Sequence, residues 1–278
     1  MITAPVNKII PFSSVDGYGN RTAIFLQGCN QNCLYCHNPE TIHLCRGCGA
    51  CVKACPAGAL SMENGKVVYD YEKCCRCDTC LKTCQNGASP KIRNLNAEQI
   101  MEEIRAYFPF INGITTSGGE CSLHLDFLRE LYAEVKVAGK TTYMDTNGQT
   151  PLWNRKDVLE VTDMTMIDLK AGTEEDHKRV TGMGLATPVE NIRQMAAMEK
   201  LYEIRTVVVP GIADNEATVR LGSSLIAAYP KVRYKLIKYR PYGVREQYLS
   251  DITAPTDGMM EHLKAVAESC GVSNVLIT

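Results

Sequence analysis

From Asn96 onward, two textures alternate along the chain. Short apolar runs closed by Gly, Asp or Thr predict strands over 113–119, 141–146, 164–169, 202–209 and 232–239. Between them, apolar positions at helical spacing predict helices over 124–137, 154–161, 215–229 and 255–270, and Thr187-Pro188 opens another with proline in its first turn. Asn96 with Gln99 reads as a capping box for a helix running through Tyr107. Thr22-Ala-Ile-Phe-Leu-Gln-Gly28 is an earlier buried strand, and 274–277 a short last one. Counting from Thr22, six strands alternate with helices, which implies a parallel sheet with right-handed crossovers. Six units are too few to close an eight-stranded barrel. The expected α/β fold is therefore an open, partial (β/α)6, TIM-like barrel with its chemistry at the C-terminal strand ends.

One stretch breaks this rhythm. Cys45, Cys48, Cys51 and Cys55 are spaced C-x2-C-x2-C-x3-C, and Cys74, Cys77, Cys80 and Cys84 repeat that spacing. A short strand over 65–70 lies between them. In such paired runs each supplies three ligands to a near iron–sulfur cluster and its last cysteine to the other. Cys45, Cys48, Cys51 and Cys84 are thus expected on one [4Fe–4S] cube, and Cys74, Cys77, Cys80 and Cys55 on a second; Cys75 is a spare thiol that could substitute for Cys74 as a ligand, but the repeat favours Cys74. So small a cysteine-dense unit has almost no apolar core, and metal would organise it. The predicted division is a barrel over 1–37 and 93–278, with a small α+β, ferredoxin-like insert over 38–92 that binds two [4Fe–4S] clusters.

Ahead of the insert, Cys29, Cys33 and Cys36 are spaced C-x3-C-x2-C, followed by His37 and Asn38. Three thiolates hold three irons of a cube and leave the fourth open to another ligand. A zinc site would favour four ligands in two close pairs. The predicted strand ends also carry unusual residues: Ser117-Gly118-Gly119-Glu120, Asp145-Thr146-Asn147-Gly148 and Met166-Ile167-Asp168-Leu169-Lys170. Gly118 and Gly119 suit close approach of backbone to a ligand. Asp145 and Asp168, at neighbouring strand ends, repel unless something positive lies between them. Arg205 either reaches the ligand region or pairs with a carboxylate inside the barrel.

Charge and composition narrow the function. Lys and Arg number 30 against 31 Asp and Glu, which argues against a nucleic-acid partner held through phosphates. No apolar run approaches a membrane span. Fourteen cysteines without a signal-peptide pattern point to metal ligation in a reducing, cytoplasmic and anaerobic setting.

The triplet, with Tyr35 before its last cysteine, resembles the radical S-adenosylmethionine (SAM) enzymes. The wider string Val15-Asp16-Gly17 … Leu26-Gln27-Gly28-Cys29 … Tyr35-Cys36-His37-Asn38-Pro39 resembles the glycyl-radical-enzyme activating enzymes within them, and the paired runs and the Ile9-Ile10-Pro11-Phe12-Ser13 opening look most like the YjjW-type branch. The resemblance implies that SAM caps the open iron of the cluster on Cys29, Cys33 and Cys36. It implies an oxidoreductase whose 5′-deoxyadenosyl radical takes hydrogen from a backbone glycine of a partner glycyl radical enzyme, here a YjjI-like one. Gly118, Gly119 and Glu120 match the family's SAM amino-group site, and Tyr35 either lies against adenine or packs beneath the loop. Asp145 and Asp168, with the backbone of Thr146 and Met166, match a monovalent-cation site (Na+ or K+). Lys170 matches the lysine that meets the SAM carboxylate, and Asp16 matches a contact to the incoming glycine loop, or is a plain turn residue. The implied electron donor is a flavodoxin or ferredoxin. A radical SAM enzyme acting on a small molecule or peptide would share these motifs, and an iron–sulfur electron carrier would share the cysteines.

Overall fold

The computed structural model describes residues 1–249 and 252–278. Its centre is a nine-stranded sheet in the order β11-β10-β9-β8-β7-β6-β2-β1-β5. The predicted parallel series is β2 (Arg21–Leu26), β6 (Gly113–Gly118), β7 (Thr141–Thr146), β8 (Met164–Asp168), β9 (Leu201–Val208) and β10 (Arg233–Lys238). Each pairs in parallel with the next, and β11 (Val275–Ile277) adds a further parallel strand to β10.

Two strands of this sheet were not foreseen. β1 (Thr3–Ser13) runs antiparallel to β2 and to β5 (Arg93–Asn96), extending the sheet beyond the six-unit series. Proline at Pro5 and Pro11 lowers the strand signal of β1, and its exposed positions blur the alternation. The sheet does not close on itself, since β11 and β5 form its two edges.

Helices α3 (Ala97–Ile104), α4 (Leu125–Val137), α5 (Lys156–Val161), α7 (Ala186–Ala197), α8 (Asn215–Ile226) and α10 (Asp257–Ser269) lie among the crossovers, and α9 (Glu246–Leu249) is a single turn between β10 and α10; α1, α2 and α6 are introduced below. The capping box of α3 is formed: Gln99 N–H donates to Asn96 Oδ1 at 2.9 Å, and Asn96 N–H donates to Gln99 Oε1 at 3.0 Å. That helix stops earlier than expected, tightening into a 3-10 turn over Arg105–Phe110 that contains Pro109. Ile100, Leu128, Leu131, Val158, Ile192, Val219 and Leu263 of these helices form one core with Ile24, Ile114, Met144 and Ile204 of the strands.

The strands alternate across that core. On β9, Ile204 and Val208 join the apolar cluster, while Glu203 and Arg205 take the other face. That face is polar on several strands, with Arg21, Thr115, Asp145 and Arg233 bonded across it. Burial of apolar side chains on the outer face, at ~25 cal/mol per Å2, holds the scaffold that keeps these charges in place.

Residues 38–92 lie outside the large sheet. α1 (Ala50–Ala54) and α2 (Thr79–Thr83) flank a hairpin of β3 (Leu60–Glu63) and β4 (Lys66–Tyr69). Asn64 (φ 47°) and Gly65 (φ 74°) supply the two left-handed residues of a tight hairpin turn. The apolar cluster here contains only Cys51, Leu60 and Cys80, with Val52, Val67, Tyr69 and Leu81 against it. Cys55 ends α1 and Cys84 ends α2 with nearly the same backbone, φ −76° with ψ 110° and 107°. The sequence repeat is therefore also a repeat of shape. Among the described residues, no helix is long and apolar enough to cross a membrane.

Candidate active site

The triplet loop leaves β2 at Gly28 and is pinned from several sides. Gly28 and Cys29 N–H groups donate to Thr41 and Ile42 carbonyls at 2.8 and 3.0 Å. Asn32 and Leu34 N–H groups donate to Thr181 and Val180, at the end of α6 (Glu174–Thr181). From the far end of the chain, Arg245 donates to Asn32 Oδ1 at 2.6 Å and to the Cys33 carbonyl at 2.8 Å. His37 stacks on Tyr239 with ring centroids 5.7 Å apart, and its Nε2 donates to the Arg240 carbonyl at 2.9 Å.

Two glycines set how close β2 and β6 come. A Cβ on Gly118 (φ 121°) would stand 2.2 Å from the Leu26 carbonyl oxygen, and one on Gly119 would stand 2.3 Å from that of Gly28. These glycines serve the meeting of two strand ends, where the sequence suggested approach to a ligand. Glu120 differs as well. It is buried, and its oxygens accept from Ser122 N–H (3.0 Å), the Thr146 hydroxyl (2.6 Å) and Asn147 N–H (2.7 Å). Its carboxylate holds the β6 and β7 ends together. Burial pushes its pKa up, and those donors oppose the rise.

Arg205 resolves the question of Asp145 and Asp168. Its guanidinium donates to Asp145 Oδ2 at 2.8 Å and to Glu203 Oε1 at 2.5 Å, and contacts Met166 Sδ. Glu203 in turn accepts from Arg233 Nε at 2.8 Å, giving a chain Arg233–Glu203–Arg205–Asp145. Lys170 donates to Asp168 Oδ2 at 2.8 Å. Each carboxylate thus has a basic partner from the chain, Arg205 for Asp145 and Lys170 for Asp168. Burial pushes the Asp145 carboxyl up to about 6, with Arg205 opposing. Asp168 and Arg205 pair in register across β8 and β9, and Lys235 pairs with Arg205 from β10.

Lys170 is also what the three thiols share: its charge lowers the cost of ionising Cys29, Cys33 and Cys36 alike. Burial otherwise drives Cys29 up to about 12 and Cys33 up to about 11, so thiolates here need a positive partner. Tyr35 is buried among Val180, Val209, Ile212 and Tyr239, with its hydroxyl 3.5 Å from the Lys170 carbonyl. Of the two roles the sequence allowed, this is the packed one. Asp16 accepts from the Ser13 hydroxyl at 2.5 Å, and its carbonyl accepts from Thr115 on β6 at 2.5 Å. Cys121 is fully buried and donates to the Asp145 carbonyl at 3.2 Å, a packing thiol.

The donor set fits iron–sulfur ligation. Cys29 accepts an N–H from Gln31 at 3.4 Å, two residues on; Cys45 accepts from Gly47 at 3.5 Å and Cys74 from Arg76 at 3.4 Å in the same relation. The last cysteine of each run, Cys55 and Cys84, accepts from four residues on, at 3.3 and 3.4 Å. Such N–H···S bonds favour thiolates. Cys55, Cys74, Cys75, Cys77 and Cys80 line one cavity, while Cys51 lies within electrostatic reach of Cys45, Cys80 and Cys84. Among the described residues, four of the five buried polar atoms without a hydrogen-bond partner surround the triplet loop: Gln31 Nε2, His177 Nε2, Tyr239 Oη and Arg245 Nε. Also among those residues, no three His, Cys, Asp or Glu side chains gather tightly enough for a single ion.

Sequence reasoning missed several supporting residues. Asn147 sends its amide to Asn30 Oδ1 (2.8 Å) and toward Cys29 Sγ (3.7 Å), and Ser117 donates to Asp145 at 3.0 Å. Both lie in strand-end strings already singled out for their neighbours. Arg245, in a polar stretch without periodicity, left no signal.

Residues 23–221 match the model of the radical SAM superfamily. The chain belongs to the radical SAM superfamily. Among its relatives it is 30% identical to the isethionate sulfite-lyase activating enzyme of Desulfovibrio desulfuricans, over 95% of this chain and 91% of that one. It is 29% identical to the indoleacetate decarboxylase activating enzyme of Tractidigestivibacter scatoligenes, covering 99% and 98%. The pyruvate formate-lyase 1-activating enzyme of Escherichia coli is 29% identical, covering 96% and 97%. Within the superfamily the chain therefore groups with the glycyl-radical-enzyme activating enzymes. Its fold is similar to that of QueE from Escherichia coli, with a TM-score of 0.56 at 14% identity over 99% of this chain and 94% of that one.

Proposed function

We propose that this radical SAM protein is an activase that installs a glycyl radical in a partner enzyme. The observation that carries the reading is the pinned loop of Cys29, Cys33 and Cys36 at the end of β2, with the Lys170–Asp168 pair at the end of β8, in a chain of the activating-enzyme family. A [4Fe–4S] cluster with SAM on its open iron supplies, when bound, one-electron cleavage to methionine and a 5′-deoxyadenosyl radical that abstracts hydrogen from carbon.

The chain's own residues do the rest. Cys29, Cys33 and Cys36 hold the cluster, and Lys170 offers a cation to a carboxylate beside it, in exchange with Asp168. Arg205, fixed by Asp145 and Glu203, orients the polar wall of the barrel. No general acid–base pair is required. Asp16, beside β6, is read as the contact to the partner's glycine loop. The paired runs of 38–92 are read as two further [4Fe–4S] clusters relaying electrons from a flavodoxin or ferredoxin. Their repeated backbone and repeated N–H···S bonds support this. The branch is the YjjW type and the partner a YjjI-like glycyl radical protein, working in the cytoplasm.

The test is electron paramagnetic resonance of the candidate partner after anaerobic incubation with this protein, SAM and reductant. A glycine-centred doublet supports the activase. Production of 5′-deoxyadenosine without that doublet in any glycyl radical partner refutes it in favour of a small-molecule or peptide substrate.

A further inference from the structure

The second cysteine run holds more sulfur than a cube can use. A single cavity is lined by five thiols, Cys55, Cys74, Cys75, Cys77 and Cys80, where a [4Fe–4S] cluster takes four. The first run has Arg46 at the position that Cys75 occupies in the second. The two loops keep the same shape nonetheless. Gly47 (φ 69°) and Gly49 (φ 73°) in the first are matched by Arg76 (φ 57°) and Asp78 (φ 58°) in the second. Left-handed backbone is unfavourable for Arg and Asp, so the second loop holds its form against local strain. Cys75 is an addition to that form. Its thiol lines the same cavity as those of Cys74 and Cys77, and the Arg76 N–H serves Cys74.

We propose that Cys75 is an alternative ligand for Cys74, so that the cluster of the second run has one exchangeable corner. The inference rests on the two-cluster reading of residues 38–92. In the exchange, an Fe–Sγ bond to Cys74 breaks, one to Cys75 forms, and the Cys75 proton passes to the Cys74 sulfur; no electron moves. The two forms differ in what supports the ligand. Cys74 is bonded by the Arg76 N–H at 3.4 Å, and ligation by Cys75 gives that bond up. Hydrogen bonds to ligand sulfur favour the reduced cluster, so the Cys75-ligated form has the lower potential.

The test is iron analysis and electron paramagnetic resonance of the full chain, purified anaerobically and reduced, for the wild type and four variants. Cys80→Ala, which lies outside the exchange, sets the signature of losing one cube. Cys74→Ala and Cys75→Ala are each expected to keep all three cubes, with the Cys74→Ala cluster reduced at lower potential. Cys74→Ala/Cys75→Ala is expected to match Cys80→Ala. A Cys74→Ala protein that loses a cube while the wild type holds three overturns the exchange and leaves the two-cluster reading standing. A wild type holding a single cube overturns both.

Discussion

Glu203 is the most informative residue to change, because it stands between two guanidiniums with no access to solvent. It accepts from Arg205 Nε at 2.5 Å and from Arg233 Nε at 2.8 Å. Glu203→Gln keeps the shape and removes the charge. Breaking one partner out of a buried ion pair costs about 3–5 kcal/mol, because the other charge is left uncompensated. Two features soften the loss. Arg205 keeps Asp145 at 2.8 Å, and Arg233 is partly solvated and stacks on Tyr202 at 4.6 Å. The expected cost is therefore about 2–4 kcal/mol, or a midpoint lowered by roughly 5–10 °C for a chain of this size. Thermal melts by circular dichroism under anaerobic conditions measure it. Arg205→Met and the double variant complete a cycle, and the double should cost less than the two singles summed. A Glu203→Gln protein melting within about 1 °C of wild type, or strictly additive singles, would refute the view that these charges act as one buried unit.

Other outcomes follow from the same geometry. Gly118→Ala should cost about 3 kcal/mol and empty the triplet of iron, since its Cβ meets Leu26 backbone; iron content and melting point check this. Cys33→Ala should remove the perturbation of the electron paramagnetic resonance signal by SAM and leave the iron of residues 38–92, and a retained SAM effect would count against the triplet. Asp145 sets a pH dependence. Burial raises its folded pKa to about 6, above the usual 3.8, so its contribution to stability is fully present below 3.8 and lost as pH rises through about 6. Asp145→Asn should therefore lose less stability than wild type between pH 5 and 7.5 in melts at each pH, and equal losses would contradict the assignment.

What could be read beforehand followed the apolar signal. The six parallel strands were legible because each is bounded by turn residues and buried on at least one face, as with Ile114 or Ile204. α6 was not, because Glu174–Thr181 is polar almost throughout and has no apolar stripe. Its marks were a cap, Thr173 accepting from Asp176 N–H at 3.1 Å, and a left-handed Gly182. In the site, spacing located the cysteines, since their ligand geometry is local in the chain. It could not locate partners chosen by tertiary contact. Glu120 looked free until Thr146 and Asn147 were seen to claim its oxygens, and the charge facing Asp145 proved to be Arg205, sixty residues away.

The fastening of the triplet loop has a consequence for how the protein is made. Arg245 and Arg240 meet that loop across 212 and 203 residues of sequence. During synthesis the three thiols leave the ribosome well before these two arginines, so the last clamps on the loop close only after residue 245 has followed. Iron delivered in that interval would meet a loop still short of those clamps, so secure loading waits for the segment around Arg245.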